Sequence, residues 1–366
     1  MSLVLGRHWF LTTRCCHYRF FLCGLRGRSR ISIQFLNWKY HMEKDVWIFK
    51  MVHRELWQIR SFFVGRFLDY DDISPLFPPE LTTEAPMMQS FTLQSWDLCP
   101  RGLLGCIHCP QLRTLTLWSC DKALKSLIPK PMQNLRVLTI INCYSGLTWQ
   151  RDLSELSPHD EIPRVALPSF KTLAFLGCHE EMVYFLRHLY VPSLEHMEFG
   201  CFDRFHSNVH RGSLNTVLDV ICGEGAVQLR RLTLGKGALR GANFHAMWPH
   251  LKHLETLAIE DPDSKLSADG LFIALSPRDH DFSSVCPQLK TLELSCLEIS
   301  MGALVDFVQR RVKSNLGDPA PGLVTCLKMS NMCGVDMNRW VDKVWVDEEV
   351  SAQLAETHGS SVHLVA

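Results

Sequence analysis

Apolar residues recur along most of this chain in one short grammar, L-x-x-L-x-L. It appears as Leu112/Leu115/Leu117, Leu135/Leu138/Ile140, Phe170/Leu173/Phe175, Leu194/Met197/Phe199, Leu229/Leu232/Leu234, Leu254/Leu257/Ile259 and Leu289/Leu292/Leu294. Weaker copies are Ile59/Phe62/Val64, Met88/Phe91/Leu93 and Val324/Leu327/Met329. The last two apolar positions of each copy lie two residues apart, the spacing that puts side chains on one face of a β-strand. The first lies three residues earlier and is expected to turn into the core where the strand begins. One such strand cannot bury its apolar face alone, and stacked neighbours form a continuous core.

Two copies are nearly the same peptide. CPQLRTLTL at 109–117 and CPQLKTLEL at 286–294 differ only at Arg/Lys and Thr/Glu. Successive copies begin 23 to 35 residues apart. The shorter steps fall in the leucine-rich-repeat range of roughly 20–29 residues, and the longer ones read as the same unit with a longer helix or loop. Between copies lie stretches of helical period. Leu214, Val217, Leu218 and Ile221 follow Ser213; Leu271, Ala274 and Leu275 follow Ser267; Leu304, Val305, Phe307, Val308 and Val312 follow Ser300. Each serine is placed to cap a helix N-terminus. Met182, Phe185, Leu186 and Leu189 form a fourth stripe. Pro86, Pro110, Pro168, Pro192 and Pro287 each stand two residues before a copy, and they are expected to end a helix there and start the strand. Cys120, Cys143 and Cys178 fall in the slot that takes Asn or Cys in such repeats. Cys201, Cys296 and Asn331 come one residue sooner.

The pattern predicts an α/β fold: a leucine-rich-repeat solenoid, or horseshoe, with parallel strands on the concave face and helices on the convex face. Its expected domains are an irregular basic N-terminal segment at 1–45, the solenoid at 46–338 and a C-terminal cap and tail at 339–366. Trp340, Trp345 and Asp347-Glu348-Glu349 suit a polar cap over the last core layer.

Composition narrows the function. The 366 residues carry 38 Lys+Arg and 38 Asp+Glu, a net charge of zero. That balance gives no electrostatic case for nucleic acid or for a membrane surface. The first 42 residues are the exception, with Arg7, Arg14, Arg19, Arg26, Arg28, Arg30 and Lys39 before the first acid, Glu43. The same arginines interrupt the opening, so no secretory leader is expected; the segment resembles a transit peptide in charge only, being poor in Ser with aromatics that do not fall on one face, so an irregular start is expected instead. The 15 cysteines then read as buried thiols in a reducing cytoplasmic or nuclear setting.

Sharper chemistry is weakly marked. Cys106-Ile-His-Cys109 is one CxxC, whereas structural zinc takes four ligands, commonly two such pairs; Cys109 also recurs as Cys286, which makes it part of the repeat. His206 and His210 have the spacing of two ligands on a helix, but Ser207, Asn208, Arg211 and Gly212 around them suit a loop. Gly235, Gly237 and Gly241 miss the dinucleotide fingerprint by one residue. No set supplies nucleophile, base and charge stabiliser together. The expectation is therefore no catalytic residue, no metal, no cofactor and no enzyme.

Outward strand positions mark a binding surface instead. The middle row runs Thr92, Thr116, Thr139, Ala174, Glu198, Thr233, Ala258, Glu293 and Lys328. The next runs Gln94, Trp118, Ile141, Leu176, Gly200, Gly235, Glu260, Ser295 and Ser330. Trp118, Ile141 and Leu176 come from three consecutive copies, with Val137 beside them. Large apolar groups clustered on an outward face mark partner sites, so these four residues are the expected partner-binding set. The competing expectation is that the insertion after Trp149 folds back over them.

The CPxLxxLxL openings, LPSFKTLAF at 167–175, VPSLEHMEF at 191–199 and HRELWQIRSFFV at 53–64 resemble the repeat region of fungal F-box/leucine-rich-repeat proteins. The resemblance covers about residues 46–330. It implies the substrate-recognition repeats of a ubiquitin-ligase receptor; the alternative is a repeat scaffold with no ubiquitin role. Residues 1–45 lack an LPxE-like opening and an apolar helical face, so no F-box is recognisable there. The cullin adaptor is then a partner only if an F-box lies upstream. The expected chain is a monomer that takes a protein partner on its concave face and binds neither nucleic acid nor membrane.

Overall fold

The computed structural model describes residues 9–11, 19–23, 31–36, 57, 59–64, 83–96, 107–120, 132–141, 164–177, 179–200, 213–222, 227–239, 243–260, 269–275, 285–298, 300–311, 324, 326–330 and 361–364. The chain divides into two compact units, Met1–Ser193 and Leu194–Ala366.

The first unit contains β1 (Trp9–Leu11), β2 (Arg19–Cys23), β3 (Ile31–Leu36), β4 (Ile59–Val64), β5 (Thr83–Glu84), β6 (Ser90–Trp96), β7 (Ile107–His108), β8 (Thr114–Cys120), β9 (Val137–Ile141), β10 (Val165–Ala166), β11 (Thr172–Leu176), α1 (His179–Arg187) and β12 (Leu189–Tyr190). Strands β3, β4, β6, β8, β9 and β11 pair in that order, all parallel. Register runs motif on motif: Phe62, Phe91, Leu115, Leu138 and Leu173 face one another from strand to strand, and all five are buried. Phe62 and Phe91 stack with ring centroids 5.6 Å apart and planes 6° from parallel.

Residues 1–45 were expected to be irregular because they lack helical period. Their described stretches are strands, with β1 antiparallel to β2 and β2 antiparallel to β3. The signal is the alternation Ile31-Ser32-Ile33-Gln34-Phe35, which has period two and escapes a search for helical period.

The prolines do less than expected. Pro86, Pro110, Pro168 and Pro192 each follow a two-residue strand, β5, β7, β10 or β12, rather than a helix end. Strands β5 and β7 pair parallel with each other, as do β10 and β12. Each proline then takes the second position of a four-residue turn. Leu112 N–H donates to the Cys109 carbonyl at 3.1 Å, Met88 to Ala85 at 3.1 Å and Phe170 to Leu167 at 3.2 Å. That position wants φ near −65° and needs no N–H, which is what proline supplies. On α1, Met182, Phe185 and Leu186 are buried as expected, but Leu189 lies past the helix end on β12.

The second unit contains β13 (His196–Gly200), α2 (Ser213–Cys222), β14 (Arg231–Leu234), α3 (Phe244–Met247), β15 (Thr256–Glu260), α4 (Asp269–Leu275), β16 (Thr291–Ser295), α5 (Met301–Arg311), β17 (Cys326–Ser330) and β18 (Ser361–Leu364). These strands pair in chain order and all parallel. Met197, Leu232, Leu257, Leu292 and Leu327 align across them and are buried. Leu214, Val217, Leu218 and Ile221 of α2 and Leu271, Ala274 and Leu275 of α4 are buried as their spacing predicts, as are Leu304 and Phe307 of α5. Phe272 and Phe307 join α4 to α5 with ring centroids 4.8 Å apart.

Ser300 caps α5, its hydroxyl accepting from Ala303 N–H at 3.3 Å. It is itself tied to the preceding helix, because its own N–H donates to Asp269 at 2.8 Å. Asn243 caps α3 in the same manner and exchanges two hydrogen bonds with Asn215 of α2. Ser213 is the first residue of α2, and Ser267 and Val312 lie outside the described residues.

The early cysteines also find an explanation. Cys296 has φ of 59°, the left-handed turn that ends the strand, and Leu297 after it is buried. Ser119, one residue before Cys120, occupies the same place with φ of 52°. Cys296 is thus the turn residue, and Leu297 fills the slot that Cys120 takes in its own copy. Cys143, Cys178, Cys201 and Asn331 lie outside the described residues. Each unit is an α/β array of leucine-rich-repeat type, its apolar core on one face of a parallel sheet.

Candidate surface on the open face of the first unit

Core leucines take one side of each strand, so alternate residues project from the other. In β8, β9 and β11 the positions after Leu117, Ile140 and Phe175 are Trp118, Ile141 and Leu176. Trp118 pairs in register with Ile141, and Ile141 with Leu176. Parallel strands lie about 4.8 Å apart, so three large apolar side chains stand in a row. Trp118 is 43% exposed; Ile141, Leu176 and Val137 are half-buried. Val137 begins β9, four residues before Ile141, and so shares its face. Thr116, Thr139 and Ala174 fill the row between. The structure therefore brings together all four residues singled out from the sequence. Strand β8 continues only two residues past Trp118, and Ser119 takes the left-handed turn, so the indole stands at the sheet rim. The insertion after Trp149 that was expected to compete for this surface lies outside the described residues.

Not every outward position is open. Ala174 and Ala258 in the middle row are buried, at 9% and 8% exposure, because a methyl group is too short to rise above its neighbours. Gly200 is buried as well.

Sequence reading by rows passed over one column. It is the residue after the first apolar position of each copy: Arg60, Gln89, Arg113, Arg136 and Lys171 in the first unit. A chain of backbone hydrogen bonds links them. Gln89 N–H donates to the Arg60 carbonyl at 2.8 Å, Arg113 to Gln89 at 2.9 Å, Arg136 to Arg113 at 2.8 Å and Lys171 to Arg136 at 2.9 Å. Arg113, Arg136 and Lys171 are exposed. Counting one position past each motif start would have found them.

The second unit is built differently. Its matching column, Glu195, Arg230, Glu255 and Lys290, alternates in sign, and Glu255 lies 3.6 Å from both Arg230 and Lys290. One row over, Glu293 accepts from Lys328 at 2.8 Å and lies 3.8 Å from Arg231. The hydrogen bond to Glu293 raises the Lys328 ammonium above its ordinary range. Ala258 and Thr256, between β14 and β16, are short enough to let Arg231 reach across a whole strand.

The remaining sequence candidates do not converge. Cys109 Sγ donates to Met88 Sδ at 3.6 Å, while Cys106, His206, His210 and Gly241 lie outside the described residues. Gly235 and Gly237 belong to the turn after β14, where Ala238 N–H donates to the Gly235 carbonyl at 3.1 Å and Gly237 takes φ of 70°. Among the described residues no group of three or more His, Cys, Asp or Glu is placed to hold a metal ion.

Two buried thiols are held in the neutral form. Burial pushes Cys222 up to about 12, with Asp219 adding to the shift. Burial does the same for Cys286, and nearby Arg311 only partly opposes it. Arg311 is 1% exposed. Its Nη2 donates to the Val285 carbonyl at 3.1 Å, and its Nε and Nη1 have no hydrogen-bond partner among the described residues. Burial depresses its guanidinium, and the Cys286 thiol opposes that.

No protein-family profile matches the chain, and no curated protein matches it. Among solved structures, an internalin (inlF) from Listeria monocytogenes is similar over 85% of this chain and 84% of that one, at 13% identity and a TM-score of 0.29.

Proposed function

We propose that this chain is a protein-interaction module whose partner seats on the open face of β8, β9 and β11, anchored by Trp118, Ile141 and Leu176 with Val137 beside them. The observation that carries the reading is the register Trp118–Ile141–Leu176, which gathers apolar bulk on a sheet face otherwise lined by threonines. An exposed tryptophan in a row with half-buried aliphatic groups has the make-up of an interface hot spot. In finer terms the reading is substrate recognition for an F-box-type ubiquitin ligase, supported by the CPxLxxLxL, LPSFKTLAF and VPSLEHMEF segments. The other form is a repeat scaffold with no ligase role.

A photo-crosslinking residue placed at position 118, and separately at Ile273 on helix α4, tests the reading in cells. Ile273 is 62% exposed and lies outside the proposed surface. A discrete partner captured from 118 and not from 273 supports it; equal capture from both, or from neither, contradicts it. Recovery of the cullin adaptor with the full-length gene product separates receptor from scaffold.

A further inference from the structure

We infer that the second unit binds a small monovalent anion, of the halide kind, on the buried guanidinium of Arg311. The site lies where the end of α5 meets the turn that leads into β16. It is independent of the surface on the first unit.

Arg311 is the last residue of α5 and is 1% exposed. Its guanidinium lies against Val285 and Cys286, which are buried as well. Nη2 donates to the Val285 carbonyl at 3.1 Å. Nε and Nη1 have no hydrogen-bond partner among the described residues. A guanidinium carries five N–H donors and accepts nothing. One neutral carbonyl therefore serves a group that can engage several acceptors.

The charge decides which ligand suits it. Arginine keeps its proton in proteins, so the site cannot become neutral as a buried lysine can. Among the described residues the group that acts on its charge is Cys286, and no carboxylate does. Burial holds the Cys286 thiol neutral, so it presents a weak S–H donor and no counter-charge. The negative end of α5 offsets a fraction of one charge. The exposed arginines of the same unit are matched, with Arg230 3.6 Å from Glu255 and Arg231 3.8 Å from Glu293. The buried arginine, for which an unpaired charge costs most, is the one held by a carbonyl alone.

Water on Nε and Nη1 would satisfy their N–H groups and leave the charge uncompensated. A monovalent anion accepts from the same groups and cancels the charge. A divalent anion would exchange a buried positive charge for a buried negative one. The protonated Cys286 repels no anion, as a thiolate would.

The test uses the full chain and chloride. Thermal melts follow the replacement of sodium gluconate by sodium chloride at constant ionic strength. The expected result is a melting temperature that climbs by a few degrees and saturates, as binding to the folded state requires. Arg311→Met abolishes the climb. In chloride-free buffer that variant melts no lower than the native chain, because it removes an uncompensated charge; chloride reverses the order. Sulfate stabilises folded chains by exclusion from their surface and is expected to raise both alike. A sulfate response confined to the chain with Arg311 overturns the monovalent assignment. Binding is also read from the chloride NMR linewidth, which the native chain broadens saturably and bromide narrows again. If Arg311→Met does not fold, Arg311→Gln replaces it, and the native linewidth tests the site by itself. An equal chloride response in native and variant chains overturns the inference as a general salt effect. A flat native response with an unbroadened line overturns it in favour of water on the guanidinium.

Discussion

Trp118 and Ile141 face each other in register on the adjacent parallel strands β8 and β9, the indole exposed and the aliphatic group half-buried beside it. The pairing follows from the repeat. Leu115 sits opposite Leu138 and Leu117 opposite Ile140, and a strand locked by two buried leucines cannot slip by one residue without turning its core face to water. The core thus fixes the neighbours on the open face, and a surface row is as well determined as the buried one beneath it.

That coupling makes the core leucines a first check. Leu115 and Leu292 are fully buried at the same repeat position in the two units. Leu115→Ala or Leu292→Ala is expected to destabilise its unit by about 2–5 kcal/mol through lost burial and the cavity left behind. Urea unfolding of each variant measures it. A loss below about 1 kcal/mol would mean that the side chain is not core.

A second check is pH. Cys222 and Cys286 are held as neutral thiols, both pushed up to about 12 in the folded chain, whereas an unfolded thiol ionises near about 8.5. Between those values the unfolded chain binds fewer protons than the folded one. The thiols' contribution is therefore complete below about pH 8.5 and falls as pH rises, by about 1 kcal/mol per pH unit for each. Cys222→Ala/Cys286→Ala should flatten the decline between pH 9 and 11 in thermal melts. In the native protein both thiols should resist iodoacetamide at pH 8 and react only after denaturation. An unchanged slope, or rapid native alkylation, would show that the thiols are not held neutral by burial.

Arg311 offers a third. A buried guanidinium with one hydrogen bond to Val285 is costly to keep, and an apolar group of similar length often does as well or better. Arg311→Met is expected to leave the melting temperature unchanged or raise it. A fall of several degrees would mean that the guanidinium makes compensating interactions beyond its bond to Val285.

Much of this was legible because the repeat states it many times. Phe62, Leu115, Leu232 and Leu292 follow from spacing alone, and so does the outward row containing Trp118. Ser300 was legible as a cap because a helical stripe begins just after it. Local backbone geometry was harder. Nothing in L-x-x-L-x-L reveals that Pro110 occupies a turn after a two-residue strand, because β7 depends on pairing with β5, a contact 24 residues away in sequence. The role of Cys296 was hidden for a related reason. Its left-handed φ is visible only once Ser119 is seen in the same place. The Arg113–Arg136 column is present in the sequence but is no part of the apolar L-x-x-L-x-L period, so that period does not mark it. Reading the polar column beside the first leucine would have shown one unit basic and the other alternating.

The account rests most directly on Trp118 serving a partner rather than the fold, and Trp118→Ala separates the two. The measurement pairs affinity for the partner captured at position 118 with the melting temperature of the free chain. The expected result is binding weakened by about 2 kcal/mol or more with the melting temperature unchanged. A chain that melts several degrees lower while each folded molecule keeps its full affinity would show that the indole belongs to the core or lies under a loop, and that the surface of β8, β9 and β11 is not the binding site.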